Sequence, residues 1–220
     1  TVRGKALPMT YPTDFVANAR HDRKQTKIDG SDVVFVGYGV IAPEYGGDDY
    51  KGVDGKGKTV LVLVNDPQIR VSNAPAGDTT TATLDTTMFG GKAMTYYGRW
   101  TYKYEEAERR GAGGMLIVHT TERAGYPWQV VVGSNSVEHR LLPRPANAPA
   151  PIGVRGWITD SAATAILAQA GLSMTDLRKR AASRDFRPVP TGITIAATMR
   201  TTLQHMSSHH VVRGAPSIDP

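Results

Sequence analysis

The stretch that most constrains this chain is residues 94–120, MTYYGRWTYKYEEAERRGAGGMLIVHT. Tyr97, Trp100, Tyr104, Ala107 and Gly111 recur at a spacing that keeps them on one side of a helix of about 3.6 residues per turn, and that side is expected to face a core. Arg99, Lys103, Glu106 and Arg110 fall on the opposite face and are expected to meet solvent. Glu105 to Arg109 and Glu106 to Arg110 are i,i+4 pairs in the favourable order. The glycine cluster over residues 111–114 can leave a helix through positive φ and admit close backbone approach. Met115, Leu116, Ile117 and Val118 then form an apolar run without alternation, the pattern of a strand covered on both faces. The unit is therefore a helix that stops at glycines and feeds a buried strand.

Two more strands of the same buried kind are expected, over residues 33–36 (VVFV) and 59–65 (TVLVLVN). A chain of 220 residues, 40% hydrophobic, is long enough to bury a core beneath them. No apolar run approaches the length of a membrane span. The absence of cysteine excludes disulfides, thiolate metal sites and cysteine nucleophiles. The first residues lack the charged and apolar regions of a signal peptide and an initiating Met, as expected of a processed product or an excised piece. The formal charge of +6 invites a nucleic-acid reading. Its excess lies in residues 20–27 and 178–187, interspersed with acids and without an aromatic-studded binding motif, so a cationic surface explains it and no nucleic-acid partner is expected.

Residues 1–31 read as polar and irregular, with a short alternating strand around Leu7, Met9 and Tyr11. Residues 37–42, GYGVIA, match a dinucleotide fingerprint after a strand, but Pro43 follows at once and cannot sustain the helix that a phosphate cradle needs. Asp48, Asp49 and Asp54 sit in a glycine-rich stretch where a calcium loop is imaginable; turn-forming Asp and Gly are the expected reading. Residues 68–87 and 126–149 are expected to hold exposed loops, with a short strand at residues 128–132 in the second. Residues 141–151 carry four prolines and should be loop or edge.

A strand is expected over residues 152–158, then a helix from about Asp160 to Ala170 ended by Gly171. A second helix begins at Ser173, where Ser173 and Asp176 fit a capping box and Leu172 and Leu177 a hydrophobic staple, and should run to about Ser183. Residues 192–202 should form a long alternating strand, and residues 209–212 another.

Of six histidines, His21, His119, His139, His205, His209 and His210, none shows metal-ligand spacing, and adjacent His209 and His210 in a strand would point to opposite faces. No nucleophile elbow is present, Ser207, Ser208 and His209 lack a positioned acid, and no carboxylate spacing suggests glycoside chemistry. Neither catalytic, cofactor-binding nor metal residues are expected in this chain.

Residues 34–44 (VFVGYGVIAPE), 49–54 (DYKGVD) and 57–67 (GKTVLVLVNDP) resemble the protease-associated domain inserted in bacterial zinc aminopeptidases of metallopeptidase family twenty-eight. Residues 89–100, 103–119 and 151–167 extend the match, so that the resemblance covers most of residues 32–200 in order and spacing. It implies an α+β fold, a curled β-sandwich or open barrel of sheets flanked by helices, of the swivelling β/β/α type. It further implies a division into residues 1–31, leading from a peptidase domain, residues 32–205, the protease-associated domain, and residues 206–220, a strand returning to that domain. His210 stands where the family commonly has Asn, and Ser217 where Gly is usual.

What the resemblance implies for function is a non-catalytic domain that borders the cleft of a periplasmic or secreted aminopeptidase and restricts or helps bind peptide. Its partners would be its own peptidase domain and peptide substrate. Two zinc ions would sit in that peptidase domain, on ligands beyond this chain. A free-standing peptide- or protein-interaction module with a basic surface is the alternative, and an intact hydrolase with an unrecognised site a third.

Overall fold

The computed structural model describes residues 1–71 and 84–207. Its centre is a six-stranded sheet in the order β1-β7-β6-β5-β2-β8, where β1 is Phe15–Asn18, β2 Gln25–Phe35, β5 Thr59–Leu63, β6 Gly114–His119, β7 Val154–Thr159 and β8 Val189–Arg200. The four inner strands run parallel, and β1 and β8 close the two sides antiparallel. A two-stranded ribbon of β3 (Ile41–Ala42) and β4 (Gly47–Asp48) leaves the C-terminal end of β2. Five helices accompany the sheet among the described residues: α1 Trp100–Arg109, α2 Thr121–Ala124, α3 Trp128–Asn135, α4 Asp160–Gln169 and α5 Met174–Ala181. The chain is thus a mixed α+β protein, and in place of a sandwich of strands one sheet carries helices on both faces.

The buried, non-alternating strands have the reason the sequence implied. Successive side chains of β5 go to opposite sides, Leu61 and Leu63 into a core with α4 and α5, Val60 and Val62 into a second core with α1 and α3. Met115 and Ile117 of β6 and Trp157 of β7 join the second core, while Val118 and Ile158 join the first. Phe35 of β2 meets Phe186 edge to face at a centroid distance of 5.9 Å.

The helix signals near residue 170 hold. Thr159 Oγ1 accepts from the Ala162 amide at the start of α4, and Ser173 Oγ accepts from the Asp176 amide at the start of α5. Leu177 is buried in the first core, and Leu172, part-buried, packs against the same core. Strand β8 alternates as expected from Ile193 on, Ile195, Ala197 and Met199 being less exposed than Ala196, Thr198 and Arg200, but it starts at Val189, three residues before the expected Gly192.

Three local expectations are overturned. Residues 1–31 are not irregular: β1 lies within them and β2 begins at Gln25, whereas Leu7 and Met9 pack on the first core without forming a strand. Residues 128–135 form helix α3 instead of a strand. The sheet edge that such a strand could have joined, the free side of β7, is taken by β1, and α3 seats Val131 in the second core while Trp128 Nε1 donates to the Pro12 carbonyl at 2.9 Å. On α1, Tyr104 and Ala107 are buried and Arg99 and Arg110 exposed as expected, but Lys103 and Glu106, expected in solvent, are buried as well, and Trp100, expected inside, is 39% exposed. The departure at the start of the pattern has a local cause. A single 3₁₀ turn, Tyr96–Gly98, precedes the helix, and Arg99 between them is extended at φ −69°, ψ 132°, so the aromatic spacing counted from Tyr97 does not continue as one helix. Both expected ion pairs are present, Arg109 to Glu105 at 3.5 Å and Arg110 to Glu106 at 3.0 Å.

Candidate functional site

Parallel strands present their C-terminal ends together, and in α/β sheets ligands favour that edge. Here the loops after β2 and β5 meet there around the fully buried Lys103. Its ammonium donates to the Tyr38 carbonyl at 2.6 Å and the Asn65 carbonyl at 2.9 Å, and so joins one loop to the other. Burial pulls its pKa down to about 8, opposed by the nearby carboxylates of Asp66 and Asp49. Asp66 accepts from the Thr95 amide at 2.6 Å and the Thr95 hydroxyl at 2.9 Å, fixing the segment that leads into α1. Asp49 Oδ2 accepts from the Tyr38 amide at 3.0 Å and the Val40 amide at 3.1 Å, and burial pushes its pKa up to about 7 against those hydrogen bonds and Lys103.

The glycines of the GYGVIA segment serve this turn. Gly37 and Gly39 have φ of +56° and +66°, and a Cβ on them would stand 2.9 Å from the Phe186 ring and 2.8 Å from Val62 Cγ1. A 3₁₀ turn, Pro43–Tyr45, follows in place of an α-helix, so no phosphate cradle forms. The three carboxylates weighed for calcium each bind backbone. Asp48 Oδ1 accepts from the Tyr50 amide at 2.9 Å and Asp54 Oδ1 from the Lys56 amide at 3.0 Å, with Asp49 as above.

At its other end α1 carries a second buried acid. Glu108 takes Arg144 at 3.0 Å and also pairs with Arg155 of β7, while the Tyr104 hydroxyl donates to the Gly156 carbonyl at 3.0 Å. Helix α1 therefore ties down both ends of the sheet.

The histidines are dispersed. His21 is buried, its Nδ1 accepting from the Arg23 amide at 3.1 Å, which leaves Nε2 to donate to Thr26 Oγ1 at 2.6 Å; burial lowers its pKa and favours this neutral form. His119 is buried among Tyr126, Trp128 and Trp157 and donates to the Tyr126 carbonyl at 3.0 Å. His139 is part-buried and His205 exposed, and the strand expected at residues 209–212 lies outside the described residues, as does most of the loop at 68–87. No group of three or more His, Asp or Glu side chains among the described residues is arranged to hold a metal ion.

Beside the Lys103 knot opens a cleft of about 520 Å³, with Tyr38 in its wall and Gln68, Arg123, Arg178, Lys179 and Arg184 around it. The sequence reading missed this site, because its cations come from separate stretches and carry no local motif; only residues 178–187 registered, as a charge excess.

The fold and its site define a mixed α+β domain with a buried polar knot and a basic cleft at the C-terminal edge of its parallel strands. No protein-family model matches the sequence, and no curated protein matches it. Among solved structures, an aminopeptidase from Aneurinibacillus sp. strain AM-1 aligns over 87% of this chain at 17% identity and a TM-score of 0.27. The alignment spans 31% of that chain.

Proposed function

We propose that this chain is a protease-associated domain: a non-catalytic part of a periplasmic or secreted zinc-dependent aminopeptidase, bordering the active-site cleft and restricting or helping to bind peptide. One observation carries the reading. Five of the six segments that resemble the family, residues 34–44, 49–54, 57–67, 89–100 and 103–119, meet at the Lys103 knot, the sixth, residues 151–167, supplying β7 and most of α4, and the ionisable groups of the knot hold backbone atoms in place. Such use of buried charge is the work of a scaffold.

On this reading residues 1–31 and 206–220 connect the domain to its peptidase partner, although β2 continues across the first of these boundaries. The two zinc ions and their ligands belong to that partner. Substrate contacts on this reading fall to residues 84–87 and to the stretch 136–149 after α3, since a rigid scaffold displays function on its loops.

The test is an assay of this chain with aminoacyl nitroanilides alongside metal analysis of the purified protein. Neither turnover nor stoichiometric zinc is expected, and turnover that follows bound zinc overturns the proposal. Coding sequence beyond Pro220 that carries a His-x-Asp motif and then an adjacent Glu pair would identify the parent enzyme.

A further inference from the structure

The basic cleft holds more positive charge than its own structure uses. Arg178 is paired with Asp160 at 2.5 Å and Arg184 with Asp85 at 3.1 Å. Of the five cations that line the cleft, those acids account for Arg178 and Arg184, and Arg70 has interactions of its own, whereas Arg123 and Lys179 have no ion-pair partner among the described residues and Arg123 Nη1 is shielded from solvent with no hydrogen-bond acceptor. A shielded guanidinium nitrogen without an acceptor marks a place for a water or an anion. The cleft volume falls in the range of ligand clefts, about 300–1,000 Å³.

The wall chemistry narrows the occupant. Ile69, Ala182 and the Tyr38 ring supply apolar surface between the cations, suited to an organic ligand. Tyr38 is buried in the wall, where burial raises the pKa of its hydroxyl and the positive charges of Arg123 and Arg178 oppose the rise. Guanidinium forks match planar carboxylates, the geometry that Arg178 already shows with Asp160. The cleft also receives the last turn of α5 and the residues just past it, Arg178, Lys179, Ala182 and Ser183. The negative end of the helix dipole lies there and opposes any anion, so an anionic occupant must be held by the cations and the apolar wall.

We propose that this cleft is a binding site for an acidic peptide, one that places a side-chain or terminal carboxylate between Arg123 and Lys179. The site goes beyond the peptidase reading and does not depend on it.

The test is calorimetric titration of the chain at low ionic strength with a short, end-blocked oligoglutamate, with the matching oligoglutamine and inorganic phosphate as separate arms. Saturable binding of oligoglutamate alone is expected, with amide NMR shifts at Gln68, Arg123 and residues 178–184. Lys179→Glu, an exposed change on α5 that leaves the core intact, should weaken binding at least about tenfold, and Arg123→Gln likewise. Absence of saturable binding overturns the site. So does phosphate binding as tightly as oligoglutamate, or binding that survives both substitutions while their melting temperatures stay at the wild-type value.

Discussion

At the scale of single residues the interior is decided by charges that hold backbone. Replacing Lys103 with Met keeps the apolar length of the side chain and leaves the Tyr38 and Asn65 carbonyls unpaired. The expected loss is about 2–4 kcal/mol in urea unfolding, and a loss below about 1 kcal/mol would show that the knot does not bind the loops together. Asp49 separates hydrogen bonding from charge. Its folded pKa of about 7 lies above the usual 3.8, so the folded state holds the proton more tightly. Its stabilising contribution is therefore full below about pH 4, falls as pH rises toward about 7, and stays low above it. Asn at this position can accept from the same two amides without carrying charge. Asp49→Asn should thus gain on the wild type as pH rises through that window, and so should Asp49→Ala, but the Ala variant, which leaves the Tyr38 and Val40 amides unpaired, should stay about 2–4 kcal/mol below the Asn variant at every pH. Equal destabilisation by both, measured at pH 5 and pH 8, would refute this. Neither side chain announced its role in the sequence. Lys103 is a cation in a run of charges, and Asp49 one of three nearby acids, and both acquire their function from loops brought together only by the tertiary fold.

At the scale of elements, the sequence was most legible where a signal was local and complete. The capping serine of α5, the glycine after α4 and the apolar runs of β5 and β6 each specify their own conformation. It was least legible where a neighbour decided. Helix α3 has a β-branched run typical of strands, yet with β1 occupying the sheet edge its place is on the face. The expected helix over residues 97–111 was cut at one extended residue, Arg99, which no propensity marks, although Tyr104 and Ala107 kept their expected inward places. The turn after β2 shows the opposite case, a glycine pattern legible but easily assigned to the wrong chemistry. Gly39→Ala would force a Cβ into left-handed backbone and against Val62, and should cost more than about 2 kcal/mol by thermal or chemical unfolding. A variant as stable as the wild type would mean that the turn can relax and that its geometry is not fixed by packing.

At the scale of the whole molecule, helix α1 and the two cores make the sheet a single object. The second core joins residues from β1, β2, β5, β6 and β7 with α1 and α3, and the first gathers α4 and α5 on the other side. The basic cleft depends on that assembly, because Arg123 follows β6 while Arg178 and Lys179 come from α5. No sequence motif could announce it. The antiparallel strand β1, only Phe15–Asn18, has a further consequence. It is the cap that denies β7 to other molecules. Removal of residues 1–18 should convert a monodisperse solution into one whose light scattering grows with concentration, as uncovered ladders recruit one another. The shortest strand in this sheet is thus its guard against self-association.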